Sequence, residues 1–216
     1  MHADCRAFRA VAVLGLVLAT GCGRTSLLDD DVVVGADGGS TSDSGDGVPS
    51  PPTGPCNAVV QQRAIEGFAH VPLCVDVTYL SNPPSSGNHY PIWAAFQAYD
   101  FAVPEGFWVH DLEHGAVVFT YNCPDGCDDD VAAAQAFIDG LPDDPLCVPA
   151  DGDPRVRMMM TPDPNVTTKF AASSWGWTLR ADCFDPDAFG AFVQAHYGQG
   201  REVICGQGTT QPECND

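Results

Sequence analysis

Positive charge is scarce in this chain: Lys and Arg number 9 against 29 Asp and Glu in 216 residues, a formal net charge of −20 at pH 7. Such a balance repels polyanions, which excludes nucleic acid and an anionic lipid surface as general partners. Solubility outside the cell is the plain reading of the excess acid, and attraction of cations is the other. Long apolar runs are absent too. Near the N-terminus Ala10 to Ala19 is apolar, but it falls well short of the roughly 20 residues a membrane-spanning helix needs. Internal repeats, which would signal a solenoid or array, are not visible.

The short apolar run has a different sense in context. Arg6 and Arg9 precede it and Thr20-Gly21-Cys22 follow it, the order of a secretory signal with a small-residue cleavage site. A cysteine directly after Ala19-Thr20-Gly21 resembles a bacterial lipoprotein signal, which implies cleavage before Cys22, acyl chains on that cysteine and membrane attachment through lipid. Residues 1–21 are therefore expected to be a signal peptide. Residues 22–55, rich in Asp, Gly, Ser and Pro, have too little apolar surface to offset their ordering entropy and read as a disordered tether. Residues 56–216 are left as one globular domain, expected to be monomeric. Asp29 stands too far beyond Cys22 to act as an inner-membrane retention signal, so the expected location is the cell envelope, on the outer membrane facing periplasm or cell surface.

Cysteine is plentiful, with ten in all. Cys5 leaves with the signal and Cys22 takes lipid, so Cys56, Cys74, Cys123, Cys127, Cys147, Cys183, Cys205 and Cys214 remain as an even set in an oxidising compartment. That argues for a disulfide-stapled fold whose connectivity the sequence leaves open. Cys123 with Cys127 and Cys205 with Cys214 are the tempting local pairs. The one-residue-longer spacing of Cys123-Pro124-Asp125-Gly126-Cys127, with its acidic neighbours, reads as a structural disulfide rather than a thioredoxin-type redox pair.

Periodicity within the domain predicts strands at Val75 to Tyr79, Ala116 to Tyr121, Arg155 to Thr161 and Phe170 to Leu179, the last with Trp175 and Trp177 on one face. Helices are predicted from Asp128 through Ile138 and, capped by Asp185-Pro186-Asp187, through His196 to a stop at Gly198. This order means an α+β domain with a small mixed or antiparallel sheet and helices packed on it.

The candidate chemistry lies in histidine. His70, His89, His110 and His114 fall in neighbouring stretches, and residues four apart project to one side in helix or strand, so His110 and His114 can chelate one ion. Gly115 suits a left-handed turn into the strand at Ala116, placing both at a strand mouth, with His89 on a Pro/Gly loop as a third imidazole and His70 as a fourth. Imidazole outside the cytoplasm suits zinc or copper, and Asp111 or Glu113 orients a ring or binds directly. His110-Asp111-Leu112-Glu113-His114 also matches the H-x-x-E-H string of inverted zinc peptidases, where the glutamate activates water. Those enzymes carry it inside a helix, which Gly115 and the β-branched run from Val117 argue against here. Met158, Met159 and Met160 read as core filling before soft copper ligands.

Pro83-Pro84-Ser85-Ser86-Gly87-Asn88-His89-Tyr90-Pro91, followed by Val109-His110-Asp111-Leu112-Glu113-His114-Gly115 and a strand, resembles the bacterial domain of unknown function family numbered 3105. Its pattern is Pro-Pro-Thr-Ser-Gly-Pro-His, then His-Asn-Leu-Glu-His-Gly, with a histidine ahead where His70 stands. The resemblance covers about His70 to Glu202, with Ser85 and Asn88 departing from it and the cysteines a local addition. It brings no established activity, and it implies that His70, His89, His110, Glu113 and His114 belong to one site. Three functions follow as expectations: a lipid-anchored transition-metal-binding domain, a metal-dependent hydrolase with Glu113 as general base, or a non-catalytic envelope interaction module whose histidines brace a loop.

Overall fold

The run Val117–Tyr121 is apolar on both sides because it lies between helices on one face and a buried helix on the other. A computed structural model describes residues 45–147 and 154–214; the expected signal peptide, Cys22 and the first part of the tether lie outside the described residues. In chain order the elements are β1 (Val59–Gln62), α1 (Glu105–Glu113), β2 (Val117–Tyr121), α2 (Asp128–Asp139), β3 (Met158–Pro162), β4 (Phe170–Ser174), β5 (Trp177–Ala181) and α3 (Pro186–His196). The strands form one sheet in the order β1-β5-β4-β2-β3, with β2 and β3 parallel and the other pairs antiparallel. The domain is thus a disulfide-stapled α+β fold with a mixed sheet.

Alternation along the strands divides the core. Val117, Phe119, Met158 and Met160 meet Ala134 and Ile138 of α2 and Phe189, Phe192 and Val193 of α3. Val118 and Met159 face the other way and join Phe107, Trp108, Val109 and Leu112 of α1. The three methionines are fully enclosed, so they fill core on both faces of β3. α3 starts as its sequence requires, with Asp185 accepting the Asp187 N–H at 3.1 Å and Pro186 at the first position.

Four disulfides tie the periphery: Cys56–Cys183, Cys74–Cys214, Cys123–Cys127 and Cys147–Cys205. The local 123–127 pair matches expectation. Cys205 and Cys214 do not pair with each other; each reaches back across the fold, so the C-terminal segment is strapped to two separate loops. Two strand predictions need correction, and one strand went unpredicted. Val75 to Tyr79 alternates but finds no partner strand; its neighbours Leu80 and Ser81 give their N–H groups to the Glu66 carboxylate instead. Phe170 to Leu179 is not one strand but the hairpin β4–β5, with Trp175 and Gly176 as the two-residue turn and Gly176 at φ +75°. Trp175 and Trp177 therefore do not share a face: Trp175 meets the edge of His89 and Trp177 stacks on His196. β1, which periodicity missed, pairs with β5, and residues 47–53 of the expected tether hydrogen-bond along it.

Among the described residues no helix is long and apolar enough to cross a membrane. α1 is short and enclosed almost all round, from Gly106 to Glu113. At its first turn Glu105 is pushed up to about 7, by burial first and then by the charge of Asp163, against a hydrogen bond from Asn165. The folded chain holds this proton above the unfolded value of 4.5. Stability is therefore undiminished by Glu105 below pH 4.5 and falls as pH rises to 7. Glu105→Gln is expected to stabilise the domain at pH 8 by about 1–3 kcal/mol, after a discount for partial exposure, and to change little at pH 4. Thermal melts of both proteins at the two pH values check this, and an equal gain at both contradicts it.

Candidate metal centre

The string His110-Asp111-Leu112-Glu113-His114 is helical, which corrects the expectation of a strand edge. Gly115 and Val117 do end the helix, but they end it after Glu113, and Val103-Pro104 supplies a start early enough for a buried two-and-a-half-turn helix before it. His114 is the C-cap residue, and Gly115, at φ +82°, makes the left-handed turn into β2. A side chain at Gly115 would collide with the Arg157 guanidinium and the Gly198 backbone. His110 and Glu113, three apart, share one side of α1 at its C-terminal end, where the helix dipole favours a cation.

The loop carrying His89 is zipped to the segment carrying His70. Gly87 N–H donates to Gly67 O, His89 N–H to Ala69 O, and Val71 N–H to His89 O. Ser86 Oγ accepts the Glu66 N–H at 2.9 Å. These bonds bring the His70 and His89 rings to 5.0 Å between centroids, and each to within 4.9 Å of His110.

One ligand atom each from His70, His89, His110 and Glu113 lies within 4.8 Å of the others, a three-histidine, one-carboxylate group that could hold a metal ion. His89, His110 and Glu113 are buried and His70 is exposed. His114 stands beside this group rather than in it, its ring 4.6 Å from that of His110. Trp93 packs against both, at 5.2 and 4.8 Å.

The buried histidines are oriented alike. His89 Nδ1 lies 2.9 Å from Gly87 O, His110 Nδ1 2.7 Å from Tyr90 O, and His114 Nδ1 3.2 Å from Glu202 O. An Nδ1–H spent on a carbonyl fixes the ring and leaves Nε2 for another partner, the usual preparation of a metal-ligating imidazole. Burial, followed by the neighbouring His114 and His89, holds His110 down to about 3, against the help of the Tyr90 carbonyl. It is therefore a neutral base at neutral pH. Burial lowers His114 as well, although the Glu202 carbonyl and the Glu113 charge oppose it, and its Nε2 is enclosed with no hydrogen-bond partner.

Glu113 is occupied on both oxygens. Oε2 lies 3.0 Å from His89 Nε2 and Oε1 accepts from Arg201 Nη1 at 3.0 Å. Asp111, pushed well up by full burial, points its carboxyl away into the core, where the Ala94 amide is nearby but makes no hydrogen bond of normal geometry to it. It is neither a ligand nor an orienting group. Glu202 contributes its backbone: its N–H donates to Glu113 O at 2.8 Å. Arg201 was not singled out from sequence, and no local pattern links it to Glu113, 88 residues away.

A family model described as a protein of unknown function, DUF3105, matches residues 70–208. No curated protein and no solved structure matches the chain.

The end of α1 is held from below by Arg157. Its Nη1 donates to His114 O at 2.8 Å, while Nε and Nη2 meet Asp144 Oδ2 at 2.9 and 2.8 Å, and Tyr197 Oη donates to the same oxygen. Burial would raise Asp144, but hydrogen bonds from Tyr197, the Leu146 amide and Arg157 outweigh it and hold the carboxyl below its ordinary value. Arg157→Met strands this carboxylate in the interior and is expected to cost about 3–5 kcal/mol; adding Asp144→Leu should restore much of the loss. Urea unfolding of the single and double variants decides this, and a single-variant loss under about 1 kcal/mol refutes the clamp.

Proposed function

The chain belongs to the DUF3105 family of proteins of unknown function, and from that premise we propose that it is a metal-binding domain that takes one zinc or copper ion through His70, His89, His110 and Glu113. The observation that carries the reading is the convergence of three imidazoles and a carboxylate within 4.8 Å, with the two buried rings of that group each fixed through Nδ1. Nitrogen-rich donor sets with one carboxylate suit zinc foremost and copper(II) next. The C-terminal dipole of α1 and the excess of acid over the whole chain both favour a cation. His114 is the adjoining fourth imidazole, its Nδ1 likewise set against a carbonyl. We place the domain in a bacterial envelope, monomeric and lipid-anchored at Cys22; four disulfides suit such an oxidising setting.

Glu113 is better suited to ligand than to general base, since its oxygens are turned to His89 and Arg201 rather than to an open water position. Hydrolysis is thus the second reading. It requires an ion held by imidazole alone and predicts metal-dependent turnover lost in Glu113→Gln.

Oxidised protein dialysed against zinc is expected to retain about one ion per chain and to melt higher than after chelation; ligand at 100 times Kd adds about 2.7 kcal/mol. His89→Ala and His110→Ala should each lose the ion while keeping the fold, as followed by elemental analysis and circular dichroism. Metal content equal to wild type in both variants, or a melting temperature indifferent to chelator, ends the metal reading and favours histidines that only brace the loop.

A further inference from the structure

In a chain of net charge −20, the open side of the site carries a guanidinium. His70, the exposed member of the ligand group, is flanked by Arg201, whose side chain is 43% exposed. Arg201 lies with its guanidinium carbon 3.8 Å from the Phe68 ring centroid, and Phe68 stands two residues before His70. Only Nη1 is engaged: it donates to Glu113 Oε1 and lies 3.8 Å from Glu202 Oε1. Among the described residues Nε and Nη2 have no hydrogen-bond partner. A guanidinium presents donors in a planar fork that matches a carboxylate or phosphate, and here part of that fork is unspent beside the ligand group.

The position of Arg201 is built rather than incidental. On one side Gly198 N–H donates to Gly115 O at 2.8 Å; on the other Glu202 N–H donates to Glu113 O, and the Cys147–Cys205 disulfide follows. The Phe68 ring supports the flat face of the guanidinium, and the pairing with buried Glu113 fixes its direction. A surface arginine in a chain of this charge would pair with any of many acids; this one is tied to a ligand.

We propose that Arg201 makes the site a receptor for a small oxyanion, of carboxylate or phosphate chemistry, held between the free edge of its guanidinium and the exposed, His70 side of the bound ion. This rests on the metal reading above. The ion and the guanidinium are two positive groups on one mouth, and the intervening Glu113 is neutralised by its bonds to both. Zinc and copper(II) accept a further ligand beyond four, so an oxygen of the anion completes the coordination while the others meet Arg201. The class of molecule recognised is therefore an anion; a cation is repelled by Arg201 and a neutral acceptor gains only a weaker hydrogen bond.

The test uses the full oxidised domain loaded with cobalt(II), whose visible spectrum reports coordination, in wild type, Arg201→Gln and Arg201→Lys. Each is titrated with inorganic phosphate and, separately, with acetate, and its metal content is measured. Wild type is expected to show a saturable spectral change with one or both anions, which identifies the preferred oxyanion. Compared at equal metal loading, with cobalt(II) supplied until each variant holds as much as wild type, Arg201→Gln should weaken it about tenfold or more, the loss of charge-assisted hydrogen bonds, and Arg201→Lys should fall between. Anion binding of equal strength in Arg201→Gln, or no saturable change in metal-loaded wild type, overturns the receptor and leaves the metal site standing. Wild type that takes up no metal overturns both.

Discussion

A carboxylate with almost no access to water sits at the end of α1, and what makes its burial tolerable organises everything near it. Glu113 is 2% exposed, and an ion of that kind placed in the interior without partners costs several kcal/mol. Its partners come from far along the chain: His89 from a loop 24 residues earlier and Arg201 from a segment 88 residues later. Each of those segments must itself be fixed. The His89 loop is zipped to residues 66–71 by backbone bonds, and the Arg201 segment is held to Gly115 and Glu113 and then stapled at Cys205. One buried charge thus accounts for why three otherwise irregular stretches converge where α1 ends.

The interior of α1 answers the same constraint in another way. A helix enclosed from Gly106 onward exposes no polar face, so its polar residues need individual solutions. Asp111 is pushed well above the ordinary carboxyl range by its burial, His110 stays neutral and leans on Tyr90 O, and the free carbonyl of His114 is met by Arg157, which is balanced by Asp144 and Tyr197. These are separate devices, but all act within the last turn and its cap. The outcome is a rigid scaffold beneath a cluster of imidazoles whose buried rings are held in fixed orientations, the preorganisation that ligand geometry requires.

Local signals and long-range pairing differed in how far they could be read from the chain. α2 and α3 announced themselves through an acidic first turn and an Asp-Pro cap, and β2 through its continuous apolar run, because those cues act within a few residues. The left-handed Gly115 was legible for the same reason. The helix at 105–113 was not, since a helix buried on every side lacks the amphipathic period that marks one, and its histidines and acids imitate a loop. Val75 to Tyr79 shows the opposite failure: alternation is necessary for a strand but a partner edge is what makes one, and none is offered. Spacing and family resemblance together brought His70, His89, His110 and Glu113 to one neighbourhood. His114, the residue that caps α1, stands beside the group although it is only four residues from His110, and it is the folded chain that gives the fourth place to the Glu113 carboxylate.

The disulfides bear on the site through connectivity more than through any contact with it. Cys74–Cys214 closes the segment after His70 to the C-terminus, and Cys147–Cys205 ties the segment after Arg201 to the connection between α2 and β3. Cross-links that enclose long loops act chiefly by limiting the unfolded ensemble. Here the limited degrees of freedom are those of the two segments that supply the exposed histidine and the arginine. Side chains at positions 70, 89, 110 and 113 meet only in the folded chain, so an ion that took this group would add its binding free energy to that of folding. A chain that fixes the same segments covalently relies less on any such ion to keep its shape, and Arg201 and His89 already hold the Glu113 carboxylate where the three rings converge.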